Sequence, residues 1–128
     1  MATVTLSNGY RQRVAACQKN NTALPAIASV VFGSGGHDVN NVPKNPDPTR
    51  TDINTRLTGG VKTVSGLTQS DAYSVSVTGS LAKADLAGLV ISEVGLLDIN
   101  GALIGYRTFA PHTKMDDETF DIVCKITY

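Results

Sequence analysis

Leu89–Pro111 reads LVISEVGLLDINGALIGYRTFAP. Two apolar runs rich in Leu, Ile and Val flank Asp98-Ile99-Asn100-Gly101, a strong short-range signal for a β-hairpin. Asp98 at the first turn position and Gly101 at the fourth favour a type I turn with Gly101 left-handed and a bulge. That turn sets a register in which Asp98 faces Ala102, Leu97 faces Leu103, Leu96 faces Ile104 and Glu93 faces Arg107. Glu93 interrupts a strand whose neighbours on both faces are apolar, so its carboxylate needs a cation or backbone donors. Arg107 is the expected partner, and the pair is expected to lock the hairpin.

Working outward, Glu118–Tyr128 alternates with Phe120, Ile122, Cys124, Ile126 and Tyr128 inward, and reads as a closing strand. Tyr73–Leu81 alternates as cleanly, with Tyr73, Val75, Val77, Gly79 and Leu81 on one face. A period of two marks an antiparallel sheet wetted on one side. Between them, Ala82–Gly88 is a single helical turn or tight loop. Val61–Leu67 is a further, mixed strand, and Leu24–Phe32 a buried one ending at Gly33-Ser34-Gly35-Gly36. Near the N-terminus, Ser7 or Asn8 can cap a helix that places Tyr10, Val14 and Cys17 on one face and ends at Asn20-Asn21. Arg11, Arg13, Gln18 and Lys19 take its wet side. These elements make a mainly β chain with a minor α contribution: a small antiparallel β-sandwich with an N-terminal helix, residues 1–128 forming one domain.

Gly33–Thr49 is GSGGHDVNNVPKNPDPT, with three prolines and little to bury. So long an irregular connection is uncommon in a compact domain and is often functional. Gly35, His37, Val42, Pro43, Pro46 and Pro48 are its candidate docking residues. A short helix is expected after it, with Thr49 or Thr51 capping and Ile53 and Leu57 inward.

Eleven basic and eleven acidic residues cancel, which removes the electrostatic case for nucleic acid or an anionic membrane. No apolar run is long enough to span a bilayer and no signal-peptide layout opens the chain, so folding in the cytoplasm is expected. Cys17 and Cys124 have no ligand-like spacing and read as small buried hydrophobes.

Chemistry is sparse. His37 and His112 lack a flanking nucleophile motif. His37-Asp38 and Asp116-Asp117-Glu118 lack metal-ligand spacing. Asp85, Glu93 and Asp98 are the acids available for a glycosidase pair, and nothing in the sequence brings two of them together. No enzyme activity, cofactor or metal is expected.

The run Ile91–Gly105, ISEVGLLDINGALIG, resembles the I-x-E-x-G-L-x-D-x-x-G-x-L-I signature of the phage tail-collar fibre family. Leu6-Ser7-Asn8-Gly9 is similar to that family's opening. Ala26–Gly36 is similar to its I-x-x-V-x-F-G-x-G-G strand and turn, and Phe109–Lys114 to its aromatic-Pro-x-x-Lys segment. The resemblance implies a virion structural protein that attaches tail fibres to the baseplate, assembled in the host cytoplasm. Its expected partners are baseplate and fibre proteins, and its expected state a homo-oligomer, a trimer. Family members continue into a shaft and receptor-binding tip; neither is expected here, so the role the resemblance implies is attachment. The alternative is a stand-alone carbohydrate-binding β-sandwich, which would need exposed aromatics. The chain has no Trp and four Tyr, two of which, Tyr73 and Tyr128, are assigned inward.

Overall fold

The computed structural model describes residues 2–128. In chain order the elements are β1 (Ala2–Thr3), β2 (Thr5–Leu6), α1 (Asn8–Asn20), β3 (Ile27–Gly33), β4 (Arg56–Thr63), β5 (Gly66–Asp71), β6 (Ser74–Leu81), β7 (Val90–Asp98), β8 (Leu103–Thr113) and β9 (Phe120–Thr127). They build a mainly β sandwich of a four-stranded sheet, β1-β9-β6-β5, and a five-stranded sheet, β2-β8-β7-β3-β4. All pairings are antiparallel except β1 with β9. The first two strands are one extended stretch that changes sheet at Val4, which is buried and donates its N–H to the Lys125 carbonyl at 2.9 Å.

The alternation of β6 and β9 does what a period of two dictates. Val77, Leu81, Ile122, Cys124 and Ile126 meet Val30, Phe32, Val94 and Leu96 between the sheets. Each such side chain stabilises by about 1.5–3 kcal/mol when fully buried. Val30–Gly33 of β3 and Ile91–Asp98 of β7 are buried on both faces, the central strands of their sheet. The outer face of the five-stranded sheet carries a second cluster of Val31, Ile53, Leu97, Leu103 and Tyr106.

Ser7 caps α1, its hydroxyl accepting the Tyr10 N–H at 3.1 Å and donating to the Leu103 carbonyl at 3.0 Å. Left-handed Asn21 ends the helix. Tyr10 is buried and Val14 half-buried, but Cys17 is half-exposed rather than buried. Arg13 leaves the wet side: its Nη2 donates to the Leu103 carbonyl at 2.7 Å, and its Nε lies 3.8 Å from the Asp98 carboxylate.

Four further expectations need correction. First, the hairpin register slips. Leu97 faces Leu103, but Leu96 faces Gly105, so Ile104 is an extra residue in β8. A one-residue bulge turns every later side chain to the other face. Arg107 therefore lies opposite Val94 and Glu93 opposite Thr108, and the expected Glu93–Arg107 pair is not formed. Second, no helix follows Thr49. The Asp47 carboxylate accepts the Thr49 N–H and hydroxyl, making a turn, and the chain runs on into β4. Third, Val61–Leu67 is not one strand but the end of β4 and the start of β5. Val64 donates to the Ala28 carbonyl and Ser65 to the Thr78 carbonyl, so the chain passes from sheet to sheet. Fourth, Tyr73 and Tyr128 flank the last rung of the β6–β9 ladder and are 73% and 59% exposed.

Candidate docking surface

Glu93 is fully buried without a cation. Its Oε2 accepts the Gly35 and Thr55 N–H groups at 2.6 and 3.0 Å. Its Oε1 accepts the Asn54 N–H at 2.6 Å and the Asn54 side-chain amide at 3.3 Å. Backbone donors thus satisfy the carboxylate, each charge-assisted bond contributing roughly 1.5–3 kcal/mol. Both ends of the connection between β3 and β4 are pinned to one side chain.

The glycine turn is what allows the approach. A Cβ on Gly36 would stand 2.1 Å from the Ser92 carbonyl oxygen, and one on Gly35 2.8 Å from Glu93 Oε2. Ser92 Oγ accepts the Gly36 N–H and lies 2.8 Å from His37 Nδ1. A serine beside a histidine invites a nucleophilic reading, but Ser92 is fully buried and its hydroxyl already accepts the Gly36 N–H.

Beyond His37 the connection is held like a strap across the outer sheet face. Asp38 closes its tip, accepting the Asn40 and Val42 N–H groups. Lys44 N–H donates back to the Gly36 carbonyl, and the Lys44 carbonyl accepts the Thr108 hydroxyl. The Tyr106 hydroxyl accepts the Asp47 N–H at 2.6 Å, and the Pro48 carbonyl accepts the Asn8 N–H at 2.7 Å. Gly35 and His37 are therefore committed to the fold. Val42, Pro43 and Pro48 remain exposed and Pro46 is half-buried, while Val39 at the tip is 98% exposed. Val39 was missed by sequence reasoning because an isolated Val in a polar loop carries no periodicity.

Apart from the tip, the sandwich presents two sides of open strand. β4 pairs only with β3 and β5 only with β6, leaving both outer edges free, with Val61 and Leu67 about half exposed. On the opposite side, β2 covers β8 only at Gly105–Tyr106, and β1 covers β9 only at Cys124–Lys125. Tyr73 and Tyr128 adjoin at the sandwich end, Tyr128 donating its N–H to the Tyr73 carbonyl. The Tyr128 hydroxyl lies 3.1 Å from that of Tyr10, whose own titration is pushed above the usual tyrosine range, first by burial.

The acids that might have formed a catalytic pair serve separate local structures. Asp85 binds the Ala82 N–H and Lys62, Asp98 binds the hairpin turn, and Glu93 holds the strap. Glu118 accepts the Met115 N–H and pairs with His112 at 3.0 Å. Among the described residues no group of three or more His, Cys, Asp or Glu side chains could hold a metal ion. No described helix is long and apolar enough to cross a membrane. In comparison with known proteins, no family model, no curated protein and no solved structure matches the chain.

Proposed function

We propose that this chain is a structural protein of a contractile phage or prophage tail, docking fibres at the baseplate without catalysis. The observation that carries the reading concerns the residues of the hairpin signature. Glu93 ties down the strap, Gly95 leaves room for Ile53, Asp98 accepts the turn amides and Gly101 takes φ +80°. A motif devoted wholly to rigidity suits a protein that works by holding neighbours. The surfaces left for them are the strap tip at Val39 and Val42 and the free strand edges, which can add strands from other chains. A homotrimer is the assembly proposed, on the resemblance.

The test is mass measurement of the purified protein, followed by co-purification with baseplate and fibre proteins encoded beside it. A trimer that retains a named baseplate or fibre protein supports the reading. A monodisperse monomer that retains none overturns it.

One observation favours a second reading, a carbohydrate-binding module. Tyr73 and Tyr128 are both exposed and joined by a backbone hydrogen bond, which puts two aromatic residues next to each other at the sandwich end. Glycan-array signal lost on Tyr73→Ala would support it, and a blank array would remove it.

A further inference from the structure

We propose that the open side between β8 and β9 is a groove for an extended segment of a partner polypeptide, anchored by a carboxylate on Arg107. The proposal rests on the docking reading but not on any particular assembly. The open side already accepts one such segment. Ala2–Leu6 lies along it, parallel to β9 and then antiparallel to β8. Beyond that segment, no described strand covers the outer edges of residues 107–113 and 120–123.

Arg107 is the group that calls for a partner. It faces Val94, so its side chain enters the gap between the sheets. Its guanidinium carbon lies 5.4 Å from the centre of the Phe109 ring. Phe109 stacks on Phe120 at 6.4 Å, and Phe120 on His112 at 5.3 Å, giving a half-buried aromatic row that crosses from β8 to β9. Arg107 Nε is buried with no hydrogen-bond partner, and no described carboxylate lies within 4.0 Å of the side chain. Beside the Phe109 ring, the guanidinium acts on the buried thiol of Cys124. A partly desolvated guanidinium is matched best by a carboxylate in the forked geometry. The far end of the groove carries Asp116, Asp117, Glu118 and Asp121, which repel a second acid. The occupant's acid is therefore directed to the Arg107 end, and its backbone to the free edges.

The probe is a set of synthetic extended peptides of alternating Thr and Val with one Glu walked along the sequence. A matched set carries Gln instead, and both are titrated against the full chain. The best Glu peptide is expected to bind at least about tenfold tighter than its Gln counterpart, the scale of a charge-assisted hydrogen bond. Binding should slow amide exchange at Thr108 and Thr113, whose N–H groups point away from β7. Arg107→Gln should erase the Glu preference, Arg107→Lys should keep part of it, and Arg56→Gln on the opposite side should leave it unchanged. Because Arg107→Gln could impair folding, the Glu–Gln comparison on the unaltered chain is decisive alone. Equal or absent binding of the two sets overturns the proposal, as does protection falling on β4 and β5. Self-association lost on Arg107→Gln would give the groove to a second copy and overturn it too. Failure to retain tail proteins leaves this experiment intact, whereas failure here leaves the virion reading standing without this groove.

Discussion

At the scale of single residues, the fold turns on how a buried carboxylate is satisfied. Glu93→Gln keeps the shape but replaces an acceptor by an amide that faces backbone donors. A loss of roughly 2–4 kcal/mol is expected in urea unfolding, with faster amide exchange at Gly35 and Thr55. Since Glu93 and Arg107 lie on opposite faces of the hairpin, their double-mutant cycle should show coupling below about 0.5 kcal/mol. Coupling above 1 kcal/mol would restore the direct pair. Gly36→Ala and Gly88→Ala separate two roles of glycine. At Gly36 the added carbon meets backbone at 2.1 Å, and a loss of about 3 kcal/mol is expected. At Gly88 the space is open and only φ +79° is at stake, so about 1 kcal/mol is expected. Equal losses at both sites would remove the close-approach argument.

At the scale of elements, what could be read in advance was whatever repeats or caps locally. α1 announced itself through Ser7 and the Tyr10–Val14–Cys17 stripe, β6 and β9 through alternation, the hairpin turn through Asp98 and Gly101. The extra residue Ile104 was invisible, because a bulge depends on the partner strand and on neither local period. The same blindness hid the division of Val61–Leu67, where Val64 and Ser65 bond to different sheets. For the candidate site, the sequence showed that Glu93 needed donors and that the glycine turn was special. That each answered the other needs tertiary contact to see. Several turns depend on ionised carboxylates. Asp71, Asp85 and Glu118 are each held below their ordinary range, first by a backbone N–H, of Tyr73, Ala82 and Met115 respectively. A depressed folded-state value gives stability that is present above the unfolded carboxylate range and lost as pH falls through the folded one. The melting temperature should therefore hold between pH 7 and about 5 and fall below about pH 4. A melting temperature that rises below pH 4 would contradict the sign.

At the scale of the whole molecule, the two layers hide one cysteine and leave the other within reach. Cys124 is fully buried in the inter-sheet core, and burial pushes its thiol up, while Cys17 is half-exposed. A thiol reagent at neutral pH should label Cys17 promptly and Cys124 only at the rate of global opening. Prompt labelling of both would show the sandwich to be open. The strap belongs at this scale as well. With Tyr106→Phe the Asp47 N–H loses its acceptor, at a cost of about 1 kcal/mol. The exchange that accelerates should be confined to the strap if it opens as a unit.

The sheet-switching stretch at Val4 has a consequence for how the protein is made. Its ladders join Ala2 to Cys124 and Leu6 to Gly105, partners far apart in sequence. Contacts so distant in sequence slow folding, and a ribosome releases the β9 half of them last. During synthesis Ala2–Leu6 must wait, extended and apolar at Val4, until β8 and then β9 have emerged. In that interval the same strand can be laid into another nascent copy, so neighbouring ribosomes on one message are the natural place for two chains to exchange it.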